Sequence, residues 1–412
     1  MNDKMKKQKI SSTCLKLFIL CSLLFPAMYS PYTDVYQSAY YSGFSWANFF
    51  LVVGLGIQLW EFFREGKRLA GGWIWYLALL LLYNLLSLYF NHKYLHWYWE
   101  QINNTVAFLA FFVLVCTKTK LDNGKDDNIR FLIRCIVLSN IASLAYYFMG
   151  YTKLLICNHR FVFYELPGDF YETRHYWIYS HKSEYALMLV AFTALFVAYR
   201  RKFHSRLIYF LSLAVLLACL YLTHSWTGMG AAVLIFFGGL LDEINWKTFH
   251  WKRRYLAGGT VLALAAAGAA NRILTERNLF SLGGRPQIWA AVMETVRKHP
   301  EGWGMRFGES MMAVTENWMV NNGHNVFLNQ ILRFSVPVGI CFTVLFLGIA
   351  VWSLWRSRTW LSAGMWLALL VLLNMDYSLM SLQMAMLFLI VYLVCIYSPG
   401  RENGGRTKER GE

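Results

Sequence analysis

Long apolar blocks recur from one end of this sequence to the other, and they constrain its fold more than any other feature. Two of them run from Gly72 to Phe90 and from Phe131 to Gly150. A helix crosses the hydrocarbon core of a bilayer with roughly 17–25 residues, and these blocks have that length. Of the 412 residues, 57% are hydrophobic and 15% charged, so a soluble fold of this size would lack the polar surface to cover its core. A transmembrane barrel would instead show short alternating segments. The expected fold class is all-α: a polytopic membrane protein with one multispanning domain over 1–398 and a Gly/Arg/Glu-rich tail over 399–412.

Hydropathy gives about 12 transmembrane helices. The first, an apolar run from Leu17 to Met28, follows Lys4, Lys6, Lys7 and Lys9. It resembles a signal peptide, but no small-residue cleavage site follows, so it is read as an uncleaved first span. The sixth is expected near Glu184–Tyr199, the eighth near Gly228–Leu241 and the Ala/Gly-rich ninth near Leu256–Ala270. The tenth starts near Asn325 and reaches Trp355, the eleventh lies near Trp360–Asn374 and the twelfth near Ser378–Tyr397. With a cytoplasmic N-terminus, 26 of the 39 Lys and Arg fall in inside segments and 11 in outside ones. That asymmetry fits the positive-inside rule with both termini, and the tail, cytoplasmic. It also accounts for most of the net charge of +16 through attraction to anionic lipid rather than nucleic acid. Two outside loops, 151–183 and 271–323, are long and basic; their cations suit lipid phosphate or an anionic substrate.

The second of these loops, placed before the tenth helix, holds the largest polar interruption. Arg285 follows two glycines and precedes Pro286. Proline suits the first position of a helix, and Ile288, Trp289, Val292, Met293 and Val296 then recur at helical spacing. The expectation is an amphipathic helix on the membrane face with Trp289 as an interfacial anchor. Arg285 stands at its N-terminus, where free N–H groups and the helix dipole favour anions, and a guanidinium grips two phosphate oxygens at once. A snorkelling surface arginine is the plainer alternative. His324 follows Asn322-Gly323 and opens the tenth span; a neutral imidazole there can accept a proton from an attacking hydroxyl, or it merely caps the helix. Arg333, about two and a half turns further along, is costly in a membrane unless it faces a wet cavity or a partner.

The first long loop offers Arg174-His175-Tyr176-Trp177 and His181-Lys182-Ser183-Glu184. Aromatic faces suit sugar rings and cations suit phosphate, although an interfacial aromatic belt uses the same residue types. None of the eight cysteines sits at C-x-x-C spacing, so neither a zinc site nor a disulfide framework is expected. There is no H-E-x-x-H motif, no D-x-D motif and no Walker A motif. The expectation is a chemistry without metal or cofactor, with arginines neutralising charge.

Taken together, Arg285-x-x-x-Trp289, His299-Pro300 with Gly302 and Gly304, and His324-Asn325 with Leu328 and Gly339 resemble the O-antigen ligase/polymerase superfamily. Ser225-Trp226-Thr227-Gly228 resembles that family's short Ser-Arg-x-Gly-like turn, with Trp226 where the family often has arginine. The resemblance implies a glycosyltransferase of the bacterial inner membrane, using a polyprenyl-diphosphate-linked glycan donor (undecaprenyl diphosphate) on the periplasmic or extracellular side. It implies His324 as the base that activates the acceptor hydroxyl and loop arginines as the diphosphate grip. Arg285 is the first of these. Arg174, Arg277 or Arg306 could supply the contact missing at Trp226, and Arg333, Asn325, Trp289, His181 and Lys182 complete the candidate substrate-binding set. A repeat-unit polymerase for surface polysaccharide is the leading expectation. A ligase that moves finished glycan to a lipid or protein acceptor is the runner-up. A transporter or lipid flippase fits less well, because it would distribute charges within its spans.

Overall fold

The apolar blocks become helices. The computed structural model describes residues 3–26, 28–29, 46–91, 98–119, 121–123, 126–157, 160–166, 174–179, 181–244, 260, 284–302, 312–316, 318–320, 322–375 and 381–397. In chain order come α1 (Asp3–Leu24), α2 (Trp46–Arg64), α3 (Gly71–Asn91), α4 (Tyr98–Cys116), α5 (Asn128–Phe148), α6 (Lys182–Ala198), α7 (Arg206–Leu222) and α8 (Trp226–Glu243). Then follow α9 (Arg285–Lys298), α10 (Val326–Phe334), α11 (Val336–Ser357), α12 (Trp360–Met375) and α13 (Ser381–Val391), the last continued by a π-helical turn, Tyr392–Ile396. Among the described residues, three helices are long and apolar enough to cross a membrane: Gly71–Phe90, Asn128–Phe148 and Val336–Ser357. The expected ninth span lies outside the described residues, apart from Thr260.

Burial sorts the helices. Every residue from Ser183 to Phe196 in α6 is buried, and so is every residue from Met384 to Cys395. Helices that are apolar all round belong inside a bundle, and α6 and α13 form its centre. α3 does the opposite: Trp75, Leu81, Leu85 and Tyr89 are exposed, an apolar face suited to lipid.

The basic segments meet at one end of the bundle. Lys7 pairs with Glu61 at 3.3 Å and Lys202 with Asp127 at 3.1 Å. Ser12 bonds Asn128, Tyr392 reaches the Thr119 carbonyl, and the Asp242 carboxylate accepts from the backbone N–H groups of Trp360 and Leu361. The ion pairs among them are partly exposed and individually weak.

Two expectations need correction. The fold is mostly helical but not purely so, because both long loops fold into small sheets. Tyr151–Cys157 pairs antiparallel with Arg160–Glu165, with Met28–Tyr29 alongside, and Met312–Thr315 pairs with Trp318–Val320. The expected tenth span is two helices. Between α10 and α11 stands Ser335, at φ 126°, in a region that disfavours side chains, and Pro337 lies in the first turn of α11, where it cannot donate to a continuing helix. The chain reverses there. Phe327 packs on Phe342 and Phe346, and Gly339 lies so close to Ile331 that a Cβ would sit 2.7 Å from the Ile331 Cα. α10 therefore runs antiparallel to α11, and its N-terminus reaches about half-way along that 22-residue helix.

Candidate functional site

Helix α9 starts where Pro286 predicts, with Gly284 as its cap. Ile288, Val292 and Val296 are buried on one face and pack with Met312 and Leu332; Met293, expected on that stripe, is exposed. Trp289 is not a free interfacial anchor. Its indole N–H donates to the Gly323 carbonyl at 3.0 Å, and its ring packs on the same small core. At the far end of α9, Pro300 accepts from the Val336 N–H at 3.1 Å. Gly302, at φ 81°, lies against Phe334 and Ser335, where a Cβ would meet the Ser335 nitrogen at 2.7 Å. α9 thus runs beside α10 in the same direction, and both N-termini point to one place.

That place is the C-terminal end of α12. Arg285 donates its Nε–H to the Met375 carbonyl. One residue earlier on α12, the Asn374 Oδ1 accepts from the Asn325 amide at 2.9 Å. Asn325 also caps α10, its Oδ1 accepting from the Leu328 N–H at 3.0 Å. The preceding residue, His324, is half-exposed and held at φ 45°, its N–H donated to the Asn322 side chain at 2.9 Å. Asn329 fixes the same turn from inside, accepting from the Gly323 N–H at 2.7 Å. Arg285 and His324, 39 positions apart in sequence, are anchored through adjacent residues of one helix end. Two helix N-termini and a guanidinium converge there, an arrangement that favours an anion. The imidazole beside them can take a proton.

The other sequence candidates divide. Arg333 is buried, its guanidinium 5.2 Å from the Phe334 ring centre. It stands in the last turn of short α10, not deep in a long span, because the helix breaks two residues later; the helical rise puts it about 12 Å from Asn325. Arg277 and Arg306 lie outside the described residues. Arg174 precedes His175, whose backbone N–H donates to the Leu222 carbonyl at the end of α7; His181 caps α6 by accepting from the Ser183 N–H, and Lys182 is its first residue. Trp226 begins α8, directly after its cap Ser225. The residue missed from sequence is Asn374. Its signal was an amide closing the apolar run Trp360–Asn374, but nothing local to that run points to Asn325.

Beside Arg174, the aromatic-cationic motif is a buried joint. His175 is fully buried and donates Nδ1–H to the Thr152 carbonyl at 3.0 Å, while its Nε2 accepts from the Ser143 hydroxyl at 2.6 Å. Ser143 in turn meets the Tyr185 hydroxyl at 2.7 Å, and Tyr185 donates to Asn140. Trp177 donates its indole N–H to Ser139. Burial pushes the His175 imidazole down to about 4, against the two hydrogen bonds, which act in the other direction.

Among the described residues no group of three or more His, Cys, Asp or Glu side chains is arranged to hold a metal. No family model matches the chain, and no curated protein matches it.

Proposed function

We propose that this protein is a membrane glycosyltransferase that moves an oligosaccharide from a polyprenyl-diphosphate carrier, acting as a repeat-unit polymerase for surface polysaccharide. It spans the bacterial inner membrane about 12 times, with both termini in the cytoplasm and the α9–α10 site on the periplasmic or extracellular side. The observation that carries this reading is the joint anchoring of Arg285 and Asn325 on Met375 and Asn374. It gathers a cation, two helix N-termini and an imidazole within the membrane-embedded bundle. In the proposed reaction an acceptor hydroxyl attacks the anomeric carbon of the donor glycan and passes its proton to His324. The anomeric C–O bond breaks and the polyprenyl diphosphate leaves with the bonding electrons, its charge balanced by Arg285 and the helix ends. The sequence supports the sidedness through its charge asymmetry.

The test is the glycan size distribution in a strain lacking this chain, complemented with wild type or His324→Ala. Unpolymerised single repeats in both the null and the His324→Ala strain support a polymerase with His324 as base. Long glycan retained on the lipid carrier makes the protein a ligase instead. An unchanged glycan profile in the null refutes the reading, as does a reporter fused within 271–323 that reads cytoplasmic.

A further inference from the structure

An aromatic layer crosses the bundle where α4, α10, α11 and α13 meet. Phe342 touches Phe108 at 5.8 Å and Phe327 at 6.4 Å, and Phe388 touches Phe108 at 5.6 Å and Phe346 at 5.7 Å between ring centres. Moving from that layer toward the α10–α11 turn, three of the four helices, α4, α10 and α13, carry a glutamine. Gln101 lies seven residues before Phe108 in α4, on the same face, because seven residues are close to two helical turns. Gln330 lies one turn beyond Phe327 in α10. Gln383 lies five residues before Phe388 in α13.

These amides carry an unusual burden. Gln101 is 1% exposed and Gln330 is 9% exposed. Both atoms of the Gln101 amide, and the Oε1 atoms of Gln330 and Gln383, are buried with no hydrogen-bond partner among the described residues. Neighbouring amides are satisfied: Asn104 of α4 donates to the Tyr83 hydroxyl at 3.1 Å, and Asn84 of α3 accepts from Thr105 at 2.9 Å. Native interiors rarely leave buried polar atoms unmatched, and such groups call for an explanation, of which a bound polar ligand is one. Buried carboxamides offer neutral donors and acceptors, which match hydroxyl groups rather than phosphate, and an aromatic layer below them suits the apolar face of a pyranose.

We infer that Gln101 and Gln330, with Gln383, form a sugar-binding subsite on the α10–α11-turn side of this aromatic layer, one that takes the hydroxyls of the glycan being transferred. This rests on the glycosyltransferase reading and extends it from the diphosphate end of the substrate to the carbohydrate.

The experiment uses the purified full chain in nanodiscs and, as probe, the lipid-linked glycan pool extracted from the strain lacking this chain. Wild type, Gln101→Met, Gln330→Met and the double variant are compared for binding, transfer and thermal stability. Each methionine removes unmatched buried amide atoms at nearly constant volume, so melting temperature stays level or rises. The expected result is a Kd about tenfold higher for each variant, with the double variant weaker still. Wild-type binding in all the variants, together with unchanged or higher melting temperature, overturns the subsite while leaving the glycosyltransferase reading standing. A wild-type protein that neither binds nor transfers the pool overturns both. Should the single methionine variants fail to fold, Gln101→Asn and Gln330→Asn keep the amide chemistry and shorten its reach, and unchanged Kd in those variants overturns the subsite equally.

Discussion

Two histidines stand near the ends of the two long loops, and the structure treats them in opposite ways. His175 is enclosed between Thr152, Ser143 and Tyr185, both ring nitrogens bonded and its surface fully buried. His324 is half-exposed, on a left-handed turn fixed by Asn322 and Asn325 between α9 and α10. The first environment spends every hydrogen bond on joining α5, α6 and the 151–179 segment. The second fixes the backbone and places the residue at a convergence of helix N-termini. A histidine whose nitrogens are both used internally cannot also take a proton from a substrate, so geometry removes His175 from the candidate bases where residue type alone does not.

The largest effects should fall on opposite observables. His324→Ala should lower transfer by about 10²–10⁴-fold, the usual contribution of a positioned general base, while the melting temperature stays near wild type. Measuring both on one purified sample breaks the comparison if activity survives. Arg285→Lys should lower transfer by about tenfold or more, because lysine keeps the charge but loses the guanidinium fork, and a charge-assisted bond to the Met375 carbonyl goes with it. Full activity in that variant removes the clamp.

His175 should report through pH. Its folded-state value is depressed from 6.5 to about 4, so its neutral form stabilises the fold fully above about pH 6.5, and that contribution is lost as pH falls toward 4. Complete loss corresponds to about 3 kcal/mol. Thermal unfolding followed from pH 7 to pH 4 should show the decline, and His175→Gln should flatten it; an equally steep decline in His175→Gln removes His175 as its source. The smallest effect belongs to Trp289→Phe, which deletes the hydrogen bond to Gly323 and keeps the ring. It should cost about 1 kcal/mol, read as a lower melting temperature, with a decrease in transfer because Gly323 carries His324. A drop in stability with unchanged transfer would show that the α9 contact does not position the imidazole.

Much of the fold was legible in the residues. Pro286 marked the start of α9, the apolar blocks marked the helices around α3, α5 and α12, and the basic segments marked the end of the bundle where Lys7, Glu61, Asp127 and Lys202 meet. Other features were not legible, for specific reasons. The residues from Asn325 to Trp355 read as one span because apolar content stays high across Ser335; only the packing of Phe327 on Phe342 and Phe346 reveals a reversal. The motif Arg174-His175-Tyr176-Trp177 read as an interfacial aromatic belt or a substrate surface, because cation and aromatic types suit both. Its burial depends on Ser143 and Tyr185, which are 32 and 10 positions from His175 in the chain.

The sequence by itself determined the helical character, the apolar length of the helices and the residue types at the candidate site, because apolar length and helix-start chemistry are local properties. It also determined that Arg285 and His324 each stand near a helix start. Only the tertiary structure decided that these two starts share one anchor. That depends on α10 folding back along α11 and on Asn374 and Met375 meeting Asn325 and Arg285. Such contacts between segments tens of residues apart are chosen by packing, which leaves no periodic trace in either segment alone.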